Sequence, residues 1–191
     1  MEQTDAALVG QARTGEPDAF RVLVERHARS LFGLAYRMTG NESDAEDVVQ
    51  ESFLRAYRQL KSFDQRASFG TWLYRIAVNC SLDLVRSRGR RMEVFAPAGD
   101  EAVDPVAEAP SASPGPECLA LSGEIRQRVA AGLRRLSPTE RAAFVLRHFE
   151  GMRIEEMSRV LGCQPGAARH SVFRAVQKLR RALEPALSTV K

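Results

Sequence analysis

An all-α fold is predicted: two small helical domains joined by a flexible, acidic, proline-rich linker, the second domain a helix-turn-helix. Three observations predict it. Apolar residues recur at three- and four-residue steps along almost the whole chain, and the period-two alternation of a half-buried strand is nearly absent. Residues 93–117 hold five of the nine prolines and no positive charge, so they suit neither a long helix nor a strand. Charge divides at the same place. Residues 1–92 carry 14 basic and 12 acidic side chains, residues 93–118 carry none and six, and residues 119–191 carry 14 and six. The expected domains are therefore 1–92 and 118–191, with 93–117 as linker. A basic C-terminal third points to a polyanionic partner.

In the first domain, Phe20, Leu23, Val24, His27, Leu31, Leu34, Ala35 and Met38 form one apolar row, preceded by Pro17 and closed by Gly40. His27 sits within that row and reads as a core or boundary residue. The next helix is expected to open at Ser43, with Glu46 three residues on as a capping box. Its apolar positions are Ala45, Val48, Val49, Phe53, Ala56, Tyr57 and Leu60. Asp44, Asp47, Glu51 and Arg58 fall on the other side, with Gln50 beside them. Acids in the first turns complement the positive end of the helix dipole, and the same face could equally hold a protein partner.

A loop with Phe63, Arg66 and Phe69 leads into a third helix with Leu73, Ile76, Ala77, Cys80, Leu84 and Val85 inward. Trp72, Arg75, Asn79, Asp83 and Arg86 recur on its outer face. Aromatic rings interleaved with guanidinium groups are what unstacked bases need, faces to stack on and charge for phosphates. The competing reading buries Phe69 and Trp72 against the first helix.

After the linker, one helix is expected over residues 119–136. Ser137-Pro138-Thr139-Glu140 then starts another, with Pro at the first helical position and a second capping box. A short helix at 154–161, a turn at Gly162-Cys163 and a long helix from Pro165 to Leu183 complete a helix-turn-helix layout. In the last helix Ala168, Val172, Ala175, Leu179 and Leu183 face inward. Arg169, His170, Phe173, Arg174, Gln177, Lys178 and Arg181 face outward, and no acid occurs between Gln164 and Leu183. That face can approach phosphates without repulsion. A solvated basic face on a helical hairpin is the plainer alternative.

Composition bounds the function. At 191 residues and 44% hydrophobic content a buried core is available. Three dispersed cysteines support neither a disulfide framework nor a zinc site, and suit a reduced cytosol. The N-terminus lacks a basic start and an apolar run, and no stretch approaches the ~20 apolar residues of a membrane span. A cytoplasmic protein is expected. No Gly-rich phosphate loop, catalytic triad spacing or metal-ligand cluster occurs, so neither an enzyme nor a cofactor or metal is expected.

Two segments, DAEDVVQESFLRAY with FGTWLYRIAVNCSLDLVR, and LSPTERAAFVLRHFEGMRIEEMSRVLGCQPGAARHSVFRAVQKLR, resemble the extracytoplasmic-function sigma factors of the sigma-70 family. With the linker they cover nearly the whole chain. The resemblance implies a transcription initiation factor that binds bacterial core RNA polymerase through its beta and beta-prime subunits, recognises −10 and −35 promoter elements and assists melting. Its first domain corresponds to sigma region 2 and its second to region 4. It implies core-polymerase contacts at Asp44, Asp47, Val48, Gln50, Glu51 and Arg55. The −10 DNA contacts it implies are Phe63, Arg66, Phe69, Trp72, Arg75, Asn79, Asp83 and Arg86, with 62–70 as the loop that captures a flipped base. The −35 contacts are Arg169, His170, Phe173, Arg174, Gln177 and Lys178. An anti-sigma partner is usual in this family.

The chain departs from the family where recognition helices commonly begin Gly-Thr-Val; here the run is Gly166-Ala167-Ala168-Arg169-His170-Ser171. The Thr hydroxyl is absent and the basic residue shifted, which bears on the −35 preference. The 25 linker residues reach about 80 Å extended and about 30 Å as a flexible coil. Their six acids suit either a solvated tether or a mimic of a nucleic-acid strand. Two other functions remain open: a stand-alone helix-turn-helix regulator, which leaves the acidic helix and Trp stripe without a task, and an adaptor that only holds polymerase.

Overall fold

The computed structural model describes residues 3–95 and 128–187. Most of the expected linker, Cys118 and the first part of the helix expected at 119–136 lie outside them. Among the described residues the chain is helical with no strand. Four helices form the first half: α1 (Asp5–Arg13), α2 (Pro17–Thr39), α3 (Glu42–Gln59) and α4 (Phe69–Phe95), with a 3-10 turn at Leu60–Ser62. The second half holds α5 (described over 128–134), α6 (Pro138–His148), α7 (Ile154–Leu161) and α8 (Pro165–Leu187). Among these helices none is long and apolar enough to cross a membrane.

Local chemistry sets the boundaries. Pro17 sits in the first turn of α2, where its missing N–H costs nothing, and Gly40 ends the helix at φ 85°. The next helix starts earlier than expected: Asn41, not Ser43, is its N-cap, its side chain accepting the Asp44 N–H at 2.8 Å. The left-handed turn at Gly40 delivers Asn41 into the extended conformation a cap requires. Ser137 and Glu140 do form the reciprocal box expected for α6. Helix α4 continues to Phe95, past the domain limit expected at residue 92.

The unexpected element is α1. It buries Leu8 and Val9 against α2 and α4. Asp5 at its start accepts from Arg26 and pairs with His27 at 2.8 Å, which explains a half-buried histidine in an otherwise apolar row. Burial pushes the Asp5 pKa up, but hydrogen bonds from Arg26 and His27 outweigh it and leave it below the ordinary carboxylate range.

The halves pack together. Helix α2 touches α6 and α4 touches both α6 and α7, so one apolar core runs from Leu8 and Leu31 through Leu73 to Leu146 and Met157. A second, smaller cluster joins α5 to α8 through Leu133, Leu136, Ala175 and Leu179. Polar contacts also cross the junction. Arg141, 7% exposed, donates to the carbonyls of Met38 (2.7 Å), Leu133 (2.9 Å) and Arg134 (3.1 Å). These carbonyls lie at the ends of α2 and α5, where Leu133 also accepts the Leu136 N–H at 3.2 Å, so one guanidinium caps two helices from opposite halves. Tyr74 donates to Glu150 at 2.8 Å, and burial first, then the carboxylate, pushes its pKa up to about 12. Arg37 closes this cluster, 3.8 Å from Glu150 and 4.2 Å over the ring of Phe149.

Candidate nucleic-acid interface

Helix α8 owes its orientation to a clean separation of faces. Ala168, Ala175 and Leu179 are buried, Val172 is partly so, and the turn before them is set by Gly162 at φ 62°, which closes α7. Met157 and Val160 seat α7 on the same core. All six residues expected to face DNA, namely Arg169, His170, Phe173, Arg174, Gln177 and Lys178, are exposed. Phe173 is 59% exposed, an aromatic ring held in water between cations. That arrangement can meet base edges with the first turns and phosphates with the later ones. Two of the cations are already engaged, however: Arg174 and Lys178 both converge on Glu140 of α6.

The first half sorts its expected residues differently. On α4, Arg75, Asn79, Asp83 and Arg86 are exposed as expected. The aromatics are not. Phe63 (5%), Phe69 (2%) and Trp72 (7%) are buried together, Trp72 stacked on Phe63 with ring centres 4.7 Å apart and tilted against Phe69 at 5.8 Å. Phe69 continues the cluster to His27 at 5.4 Å. Three rings that can shed water against each other and α2 gain more than one that waits exposed for a base, since each buries on the order of 150–250 Å². The loop therefore shows its polar side only. Arg66 pairs with Asp64 at 3.2 Å, and Gln65 adopts φ 58° between them, a left-handed conformation rare outside glycine.

On α3, Asp47 and Gln50 are exposed, and Glu51 is half exposed and paired with Arg55, whose pKa that bond raises. Two residues expected on the partner-binding face are not there. Asp44 is 5% exposed, bonded by the Asn41 side chain at 2.9 Å and paired with Arg88 of α4. It belongs to the cap of α3. Val48, 2% exposed, lies in the inward row where its apolar side chain belongs. Conversely Tyr57, expected inward, is 57% exposed with its ring edge-on to Phe20 at 5.0 Å, and Leu54 is 44% exposed. The amphipathic Tyr57 side chain packs its ring against Phe20 while most of it stays in water, where its hydroxyl is hydrated.

Cys80 is buried, which raises its thiol pKa, and Cys163 is partly buried in the turn before α8.

Comparison with known proteins matches both halves. Residues 23–91 match the Sigma-70 region 2 model and residues 126–179 the Sigma-70, region 4 model. The chain is 34% identical over 196 residues to the RNA polymerase sigma-H factor of Pseudomonas aeruginosa, covering 97% of each chain. It is 36% identical over 189 residues to the ECF RNA polymerase sigma-E factor of Escherichia coli, covering 95% of each. Among solved structures, CnrH in complex with the cytosolic domain of CnrY superposes with a TM-score of 0.69 at 30% identity, over 96% of this chain and 99% of that one.

Proposed function

Because the chain belongs to the extracytoplasmic-function sigma factors of the sigma-70 family, we propose that its two exposed polar faces divide promoter recognition between them. It is a sigma factor that directs RNA polymerase to specific promoters. In our reading, Arg75, Asn79, Asp83 and Arg86 of α4 meet the −10 element, and α8 reads the −35 element through Arg169, His170, Phe173, Arg174, Gln177 and Lys178. Asp47, Gln50 and Glu51 dock the core enzyme, with Tyr57 and Leu54 extending that face by an apolar margin. The observation that carries this assignment is the acid-free, exposed outer face of α8 at the second position of a helix-turn-helix.

The buried aromatics keep a role in this reading, as the support that fixes the loop of residues 62–70 and the start of α4 against α2. Melting costs a few kcal/mol per unstacked base, so core binding and a preorganised loop together supply what an isolated domain lacks. Transcription itself is the core enzyme's chemistry; the sigma factor acts where that enzyme acts, in the cytoplasm, and contributes recognition. Reading two separated elements requires the halves to part, with residues 93–117 as the tether. A partner able to hold them together would be an inhibitor, an anti-sigma factor, and the likeness to CnrH, solved in complex with the cytosolic domain of CnrY, supports a protein partner.

Run-off transcription with reconstituted holoenzyme tests the division of labour. Asp47→Lys is expected to lower core affinity with promoter preference unchanged. Arg75→Ala should slow opening without weakening core binding, and Arg169→Ala should reduce use of −35-dependent promoters. Wild-type transcription by all three variants would overturn the assignments. Tight, specific duplex binding without polymerase would favour a stand-alone regulator instead.

A further inference from the structure

Beneath the outer face of α8 lies a carboxylate kept almost dry. The Glu140 side chain is 3% exposed, yet two cations reach it: Arg174 Nε lies 3.5 Å from Oε1 and Lys178 Nζ 2.8 Å from Oε2. Oε2 also accepts the Ser137 backbone N–H at 3.0 Å. Burial pushes the Glu140 pKa up, but the bonds from Lys178 and Ser137 outweigh it and hold it below the ordinary range. The carboxylate is charged in the folded protein, and both cations are partly spent on it. Their outer surfaces stay open to solvent, 55% for Arg174 and 49% for Lys178.

The cap of α6 does not require this. Ser137 and Glu140 complete their reciprocal bonds without either cation. What the arrangement does is fix two side chains one turn apart on the flank of the recognition helix. A long side chain already tethered loses less freedom when it meets a phosphate. The same carboxylate subtracts one charge from a face that would otherwise attract any polyanion, and non-specific binding is almost wholly electrostatic.

We propose that Glu140 is a positioning residue for promoter recognition, anchoring Arg174 and Lys178 along one flank of α8 so that registered docking is favoured over indiscriminate attachment to duplex DNA. The proposal rests on reading α8 as the −35 reader. It acts through the two cations, with no contact between Glu140 and DNA required.

The test compares holoenzymes carrying wild-type chain, Glu140→Gln, Ser137→Ala or Lys178→Gln. Each is titrated against a promoter duplex and a duplex of equal length with a scrambled −35 element, over a range of salt. Glu140→Gln should bind the scrambled duplex more tightly, with a salt slope steeper by about 1–2, since each freed cation neutralises one further phosphate at about 0.9 per contact. Its preference for the true element should fall about tenfold, the scale of one well-placed charged contact. Ser137→Ala removes the cap hydroxyl but leaves the anchor, and should keep wild-type preference and slope.

Lys178→Gln leaves the α6 cap intact and guards against misfolding of Glu140→Gln. A freely solvated phosphate-binding lysine would, on removal, weaken all sequences alike and flatten the slope by about one. An anchored one should cost preference as well. Unchanged preference in both Glu140→Gln and Lys178→Gln, or an equal loss in Ser137→Ala, overturns the role of Glu140 while leaving α8 as reader. A wild-type holoenzyme indifferent to the −35 sequence overturns the reading of α8 and the proposal with it.

Discussion

Helices α4 and α8 each carry an aromatic residue among outward-spaced cations, and the fold treats the two in opposite ways. Trp72 is 7% exposed and Phe173 is 59% exposed. The difference is one of position. Trp72 stands in the first turn of α4, where the preceding loop folds back and brings Phe63 onto its ring beside Phe69 at the helix start. Phe173 stands mid-helix, about two turns into α8, with no segment among the described residues covering it. An aromatic at the head of a helix belongs to whatever the loop can bring to it, whereas one in the middle of a polar face stays where the helix points it.

Alanine at the two sites breaks or upholds that contrast most directly. Trp72→Ala should cost about 3–5 kcal/mol in denaturant unfolding, the scale of a large aromatic removed from a packed site. Phe173→Ala should stay within about 0.5 kcal/mol, as exposed substitutions do, while lowering −35-dependent transcription. Equal losses of stability would erase the distinction.

Where the halves meet, the next largest effect is expected. Arg141→Met leaves the carbonyls of Met38 and Arg134 without the guanidinium and takes one of two donors from Leu133, and should cost about 2–4 kcal/mol, given the penalty for unpaired buried acceptors. Because the core is continuous, wild-type unfolding should show one calorimetric transition, and two resolved transitions would mean the halves are energetically separate.

A smaller effect sharpens the comparison through acid. Among the described residues, Asp5 in the first half and Glu140 in the second have a depressed pKa. Depression means that the stabilisation is fully present above the unfolded values near 3.8 and 4.5. It is lost as pH falls through the lower folded ones. Asp5→Asn should therefore cost about 1 kcal/mol at neutral pH, partial exposure screening the pair, and should flatten the acid limb of the stability curve. Carboxyl titration by NMR would check both groups.

Much of the fold was legible because its punctuation is local. Pro17 and Gly40 bracket α2, Ser137-Pro138-Thr139-Glu140 opens α6, and Gly162 turns α7 into α8. The start of α3 is ambiguous in the sequence because Asn41 and Ser43 are both competent caps, and only the backbone after Gly40 selects between them. Helix α1 leaves almost no periodic signal, having only Leu8 and Val9 as a buried pair in a short polar stretch. The exposed face of α8 followed from its acid-free periodicity. The aromatic cluster and the anchor at Glu140 did not, since they depend on contacts between elements far apart in sequence: Glu140 and Lys178 are 38 residues apart.

The bond from Arg141 to the Met38 carbonyl joins residues 103 apart. At roughly 5–20 residues per second on the ribosome, the end of α2 is made roughly 5–20 s before its donor exists. Through that interval the first half carries an unfinished helix end and an apolar flank of α2 and α4 awaiting α6 and α7. The order of synthesis thus gives the nascent chain a brief life as a region 2 without its cover, a form that the finished protein, once Arg141 has closed over it, no longer shows at rest.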